Sequence, residues 1–377
     1  MTKPLVSVLI DTYNQEHFIE QAIESVLAQG LSPSELEILV IDDGSTDNTA
    51  ALVVKFAPRI RYIRKKNGGQ ASAFNAAIPE LHGEIIAFLD ADDWWAENKL
   101  FAVLDVFQKD PSIGMVGHAY YRCYDESQPG NDLTEIVGPE KSTRITLSNC
   151  AGARQADPLR NCFGTSRLTI RKTILNKVPP IPEELIFSAD AFVLTVAMAL
   201  ADAYVLQESL CFYRLHAANL YSFRSADIAK HRRRYTIIKK LVEVLPGALA
   251  TAGVSVEIAS ALLESDNLEA KQLQLRFDGG WPWETFRTEF LSFRRAYRDY
   301  SFGYGLYKWL VLASTLVVPP RVFYSLREWY SEHNLRRFRN VLGEPVPVAG
   351  IRPRPITSAT DTPDSESAAK ASVRRNE

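Results

Sequence analysis

The chain is poor in cysteine. Its four residues, Cys123, Cys150, Cys162 and Cys211, never fall at C-x-x-C spacing. That argues against a zinc site or a disulfide framework and fits a reducing compartment. It has no excess of either charge. A net charge of −2 gives no global field to attract nucleic acid, and no nucleic-acid partner is expected. No G-x-G-x-x-G follows the first apolar run and no Walker sequence occurs, so the usual glycine-rich phosphate cradles are missing. Long apolar runs are missing too. The longest candidate, Gly305 to Pro320, falls short of the roughly 20 apolar residues that span a bilayer, and Lys308 interrupts it. Near the N-terminus, Leu5 to Ile10 is too short for a signal-peptide core, so a cytoplasmic location is expected. No internal repeat is visible.

What is present is an ordinary globular composition, 46% hydrophobic and 23% charged, in 377 residues. That length allows two domains, or one with a sizeable appendage. The first ninety residues alternate. Val6 to Ile10, Glu37 to Ile41, Ile60 to Ile63 and Glu84 to Leu89 read as strands. Between them lie helical patterns at Glu16 to Gln29, about Asp47 to Phe56, and Ala71 to Ile78. Ser45 or Thr46 is placed to cap the second of these. Such alternation predicts an α/β fold with a mostly parallel sheet and helices on both faces. Ligands of these sheets bind outside the carboxyl ends of the strands.

Three of those ends are acidic: Asp11-Thr12-Tyr13, Asp42-Asp43-Gly44 and Asp90-Ala91-Asp92-Asp93. Carboxylates packed so closely repel unless water or a cation joins them. Mg²⁺ and Mn²⁺ take oxygen ligands, often one or two carboxylates plus substrate phosphates. A solvated acidic turn is the bland alternative for any one strand end. Convergence of three favours a crevice.

The wording of these segments carries a family resemblance. Ser7 to Asn14, Val40 to Asp47, Asn67-Gly68-Gly69 with Asn75, and Phe88 to Asp93 resemble, in order and spacing, the family 2 glycosyltransferases of GT-A fold. The match covers roughly the first hundred residues. It implies a Rossmann-like mixed sheet and inverting transfer of a sugar from a nucleotide-diphosphate donor, UDP- or dTDP-linked, with Mg²⁺ or Mn²⁺. It also implies that Thr12, Tyr13 and Asp43 lie at the donor's base pocket, with Asp11, Asn67, Gly68 and Ala91 in contact with the donor. Asp90 would reach the ribose or the metal, and Asp92 would be the chief metal ligand. A lipid-linked glycan, a polysaccharide end or a protein would be the acceptor.

Further on, Trp94 and Trp95 can stack on a sugar or wall the crevice, the wall being the simpler reading. Asp125 to Pro139 reads as a polar loop. Asp190 precedes the apolar helix Val193 to Ala201. A carboxylate there can cap the helix, or serve as the general base an inverting transferase needs. The family places its base at the start of such a helix. Here Ala189 stands where many members have a second acid. Tyr204 to Gln207 reads as a short strand, and Tyr213-Arg214-x-His216 beyond it resembles the family's closing motif. By that resemblance Arg214 contacts the donor diphosphate and His216 the metal. The alternative for a lone histidine is a structural role.

From about Asp227 the pattern turns helical. The expected division is a catalytic domain over 1–222, a helical region over 223–342 and a disordered tail over 343–377. Trp, Tyr, Lys and Arg interleave from Gly305 to Tyr330. That suits either a buried helix or peripheral contact with the inner face of a plasma membrane. Two other functions compete with transfer. A sugar-nucleotide-binding scaffold would not need Asp190. A nucleotidyltransferase would want a basic, glycine-rich loop before Gln29, which is absent.

Overall fold

A computed structural model describes residues 3–124, 135–146, 150–216, 228–299, 301–332 and 346–347. The expected disordered tail lies outside the described residues except at 346–347, and most of the expected 125–139 loop does also. The chain gathers into two compact units. One holds residues up to His216 together with Leu245–Leu262, and the other holds the remaining described helices.

The first unit is built on a mixed sheet. Its opening strands are β1 (Val6–Thr12), β2 (Leu36–Asp42), β3 (Arg61–Arg64) and β4 (Ile85–Asp90). They alternate with α1 (Ile19–Leu27), α2 (Thr49–Val54) and α3 (Gln70–Ala77). Next come β5 (Trp94–Trp95), α4 (Lys99–Lys109), β6 (Ile113–Tyr124), β7 (Glu135–Val137) and β8 (Thr143–Ile145). The unit's later elements are α5 (Cys150–Ala156), β9 (Thr169–Arg171), α6 (Lys172–Leu175), α7 (Ala189–Leu200) and β10 (Asp202–Leu215).

Strand order runs β3-β2-β1-β4-β9-β6-β10-β5, with β7 beside β6 and β8 beside β10. The pairs β1–β2, β1–β4, β2–β3 and β6–β10 are parallel. Strand β9 runs antiparallel between β4 and β6. The fold is thus the expected α/β mixed sheet of GT-A type. Val8, Ile10, Val40, Ala87 and Leu89 sit in one core with Ile19, Ile23 and Val26 of α1. Continuous apolar strands are what burial on both faces demands.

The chain leaves β1 toward β2 and β3, then returns to the other side of β1 as β4. The strand order therefore reverses between β1 and β4. A crevice opens at the carboxyl ends of strands at such a reversal. In register, Asp11 at the end of β1 faces Asp90 at the end of β4.

Three local readings change. Neither Ser45 nor Thr46 caps α2, whose first flanking residue is Asn48. Ser45 Oγ instead accepts from Asn14 N, and Thr46 N donates to Asn14 Oδ1. The short strand expected at 204–207 is part of the fourteen-residue β10, which runs on to carry Arg214. The polar residues Glu208 and Ser209, just beyond the expected strand, fall at register shifts against β6. Such bulges bend a strand without ending it.

The second unit is helical. Its elements include α10 (Pro282–Ala296), α11 (Phe302–Ser314) and α12 (Pro320–Glu332), which follow the long helices α8 (Ile228–Thr251) and α9 (Val256–Phe277). A short pair, β11 (Tyr297–Asp299) and β12 (Val346–Pro347), completes it. Leu275, Phe323 and Tyr324 form its small buried cluster, and ion pairs such as Lys271–Glu284 and Arg327–Glu289 join its helices.

Candidate active site

The site grows from the β1–β4 reversal. Asp11 and Asp90 stand side by side, and Ala91 N donates to Asp11 O, 3.2 Å, which holds the turn after β4 against β1. In that turn Asp90, Asp92 and Asp93 bring carboxylate oxygens within 4.8 Å of one another.

The three carboxylates have different surroundings. Asp93 is buried and committed. Its Oδ2 accepts from Ser166 Oγ at 2.6 Å, and its Oδ1 accepts from Arg214 N at 2.9 Å. Asp92 is half-buried, with Oδ2 3.0 Å from His216 Nε2. Asp90 has no hydrogen bond to its carboxylate among the described residues. Burial, then the charges of Asp11, Asp92, Asp93 and Asp190, push it well above the usual carboxylate range. Asp11 is raised to about 7, by burial first and against a bond from Gln70. Its Oδ1 is buried without a partner. Thr12 Oγ1 beside it is likewise buried without one.

Arg214 and His216 arrive on the end of β10. The Arg214 guanidinium lies 4.5 Å from the ring centres of both Phe18 and Trp94. Its Nε donates to Asp92 O at 2.9 Å, and a terminal nitrogen donates to Gln21 Oε1. This side chain therefore braces the Asp92 turn from behind. His216 is buried, with its ring 5.1 Å from that of Phe18. The two tryptophans are packed against protein. Trp94 stacks on Phe212 at 4.9 Å, and Trp95 is buried with Nε1 donating to Ser166 O.

Asp190 lies in the first turn of α7, two residues beyond the N-cap Ser188. The capping position thus belongs to Ser188, whose φ is 71°. Asp190 Oδ1 accepts from Ala191 N, 2.7 Å. Its charge acts on both Asp11 and Asp90, so α7 delivers it to the same acidic crevice.

Gln70 makes the physical link, and nothing in the sequence pattern singled it out. Its Nε2 donates to Asp11 Oδ2, 3.4 Å, and its Oε1 accepts from Ala189 N, 3.0 Å. The amide thus ties the end of β1 to the start of α7. Gly69, just before it, has φ 84°, and a Cβ there would meet Ile186 Cγ2 and O at 2.7 Å. Only glycine fits such a close approach in that conformation.

Asp43 organises the other side. It follows Thr12 through Asp43 N to Thr12 O, 2.9 Å. Its carboxylate accepts from Lys65 Nζ, Gly68 N and Gly69 N at 2.6 to 3.1 Å. Asp43 thereby shapes the 65–69 loop, from which Asn67 projects exposed. Tyr13 is also exposed, 46%. The predicted residues therefore fall into two adjoining groups. Asp11, Asp90, Asp92, Asp190 and His216 meet at the crevice. Thr12, Tyr13, Asp43, Asn67 and Gly68 form its flank.

This donor set fits a hard divalent cation. Asp90 and Asp92 offer oxygens, one of them without a hydrogen bond, and Asp93 is already spent on Ser166 and Arg214. His216 is in reach of Asp92 as a ligand or as its orienting partner.

Comparison with known proteins agrees with this geometry. The family model described as glycosyl transferase family 2 matches residues 7–172. The chain carries a family 2 glycosyltransferase domain. An uncharacterized glycosyltransferase of Nostoc sp. is 36% identical over 57% of this chain and 66% of its own length. The Escherichia coli UDP-Glc:alpha-D-GlcNAc-diphosphoundecaprenol beta-1,3-glucosyltransferase WfgD is 34% identical over 46% of this chain and 62% of its own. This chain thus spans just under two thirds of each of those relatives. Among solved structures, Staphylococcus aureus TarS (1–349) aligns with a TM-score of 0.52 at 17% identity, covering 87% of this chain and 91% of that one. That likeness is one of fold.

Proposed function

We propose that this chain is an inverting, cation-dependent glycosyltransferase. It takes a sugar from a UDP- or dTDP-linked donor on the cytoplasmic side. The acceptor is a hydroxyl of a lipid-linked or polysaccharide glycan, as in cell-surface polysaccharide or glycolipid assembly. Residues 1–222 hold the machinery. The observation that carries this reading is the meeting of Asp11, Asp90, Asp92 and Asp190 at the β1–β4 reversal. The UDP-glucose donor and diphosphoundecaprenol-linked acceptor of the E. coli relative support the donor and acceptor classes.

The residues divide the work. Asp90 and Asp92 would hold Mg²⁺ or Mn²⁺, which when bound neutralises the donor diphosphate and the charge growing on the leaving nucleotide. Arg214 and Asp93 keep the Asp92 turn rigid. Thr12, Tyr13, Asp43, Asn67 and Gly68 flank the nucleoside. Asp190 takes the proton from the acceptor hydroxyl as that oxygen bonds to the sugar's anomeric carbon. The bond from that carbon to the diphosphate oxygen breaks on the opposite face.

The test separates binding from chemistry. Asp92→Asn and Asp190→Asn both abolish transfer. Calorimetry with Mn²⁺ and UDP-sugar finds donor binding kept in Asp190→Asn and lost in Asp92→Asn. Full turnover by either variant contradicts the assignment. Donor binding with no turnover by the parent chain, across a panel of acceptors, would instead mark a sugar-nucleotide-binding scaffold.

A further inference from the structure

The loops that follow β1 and β2 are laced together. Asn14 N donates to Ser45 Oγ at 2.9 Å, Gln15 N to Thr49 Oγ1 at 2.9 Å and Glu16 N to Asp47 Oδ2 at 3.1 Å. Bonds run the other way as well. Thr46 N donates to Asn14 Oδ1 at 2.8 Å, and Asn48 N to Glu16 Oε2 at 2.9 Å. Five backbone N–H groups thus find a side chain of the facing segment.

Asn14 serves in both directions. It stands at φ 54°, in the left-handed region. Asparagine tolerates that region better than most side-chain-bearing residues, because its short amide bonds locally. The clasp is anchored to the sheet behind it. Ser45 N donates to Asp42 Oδ1 at 2.7 Å, and the buried Asp42 also accepts from Tyr62 of β3 at 2.6 Å.

The lacing falls beside the flank assigned to the nucleoside. Tyr13 is pinned on both sides. Before it, Thr12 O accepts from Asp43 N; after it, Asn14 holds Ser45 and Thr46. The tyrosine side chain nevertheless stays exposed. A ring that packed for stability alone would bury its large apolar area. An exposed ring on a fixed backbone needs little ordering when a flat base arrives, which favours binding.

We infer that Asn14 is a positioning residue for the donor's nucleoside. It acts through Tyr13 and Asp43, which it holds at a set spacing, with Ser45 as its partner. This rests on the nucleotide-sugar reading of the crevice.

Calorimetry of the full chain with UDP and with dTDP in Mn²⁺ tests it, beside the donor KM and kcat. Asn14→Ala loses the left-handed tolerance and the acceptor together, and binds the better nucleotide roughly tenfold more weakly. Its donor KM rises in step, while kcat at saturating donor stays within about twofold, because the lost binding is uniform along the reaction. Asn14→Asp keeps both features and restores binding. Asn14→Gly keeps the conformation alone and falls between. Ser45→Ala repeats the KM rise from the other side of the clasp. Glu37→Gln, at the opposite end of β2, binds nucleotide as the parent does, which separates positioning from a general loss of stability.

Asn14→Ala binding as tightly as the parent overturns the inference and leaves the nucleotide reading standing. So does an equal loss in Asn14→Ala and Asn14→Asp, a fall in kcat at unchanged KM, or a matching loss in Glu37→Gln. A parent that binds neither nucleotide overturns the nucleotide reading and this inference together.

Discussion

At the scale of single residues, the acidic crevice works because its carboxylates are unequally committed. Asp93 spends both oxygens on Ser166 and Arg214. Asp90 spends neither on a hydrogen bond among the described residues. The family resemblance ranks the three acids, with Asp92 as the chief ligand and Asp93 structural. What commits Asp93 physically is Ser166 and Arg214, which lie more than seventy residues away. Gln70 was invisible for a similar reason: a lone amide in a polar loop has no periodicity. Its two bonds nevertheless hold Asp11 toward the start of α7. Gln70→Ala is expected to cut turnover by roughly tenfold or more. A loss of about 1 kcal/mol in stability should accompany it, the usual worth of such bonds. Initial rates beside thermal melts check this. A parent-like rate in a normally folded variant would remove Gln70 from the positioning of Asp190.

At the scale of elements, the strands were legible because each is a β-rich apolar run ending in carboxylates. Helix ends and strand lengths were less so. β10 hides its continuity behind Glu208 and Ser209, which a bulge carries past β6. β5 is only two residues long, too short to leave a pattern. The far end of the sheet carries a separate device. Glu37 on β2 accepts from Ser7 Oγ of β1, from Arg61 of β3, and from His82. Burial pushes its carboxyl up, but the bonds from Ser7, His82 and Arg61 outweigh that and lower it to about 2. A depressed acid stabilises the fold above its unfolded value, and that gain is lost as pH falls toward the folded one. Glu37→Gln should therefore cost about 2 kcal/mol at neutral pH, with solvent screening included. The difference from the parent should close between pH 4.5 and about 2. Urea melts across that range measure it. A difference that does not vary with pH would mean the glutamate acts through its shape alone.

At the scale of the whole molecule, the family resemblance carried by about a hundred residues correctly anticipated the mixed sheet. The second unit offered no comparable wording. Its apolar helices read equally as buried or interfacial. The account as a whole rests on a single displacement at the crevice, with Asp190 opposite the departing nucleotide. The most direct measurement is proton NMR of the sugar released from an α-linked UDP-sugar in Mn²⁺, recorded before mutarotation, with the acceptor replaced by water. The account predicts the β anomer first, and no release by Asp190→Asn. Initial release of the α anomer would contradict it.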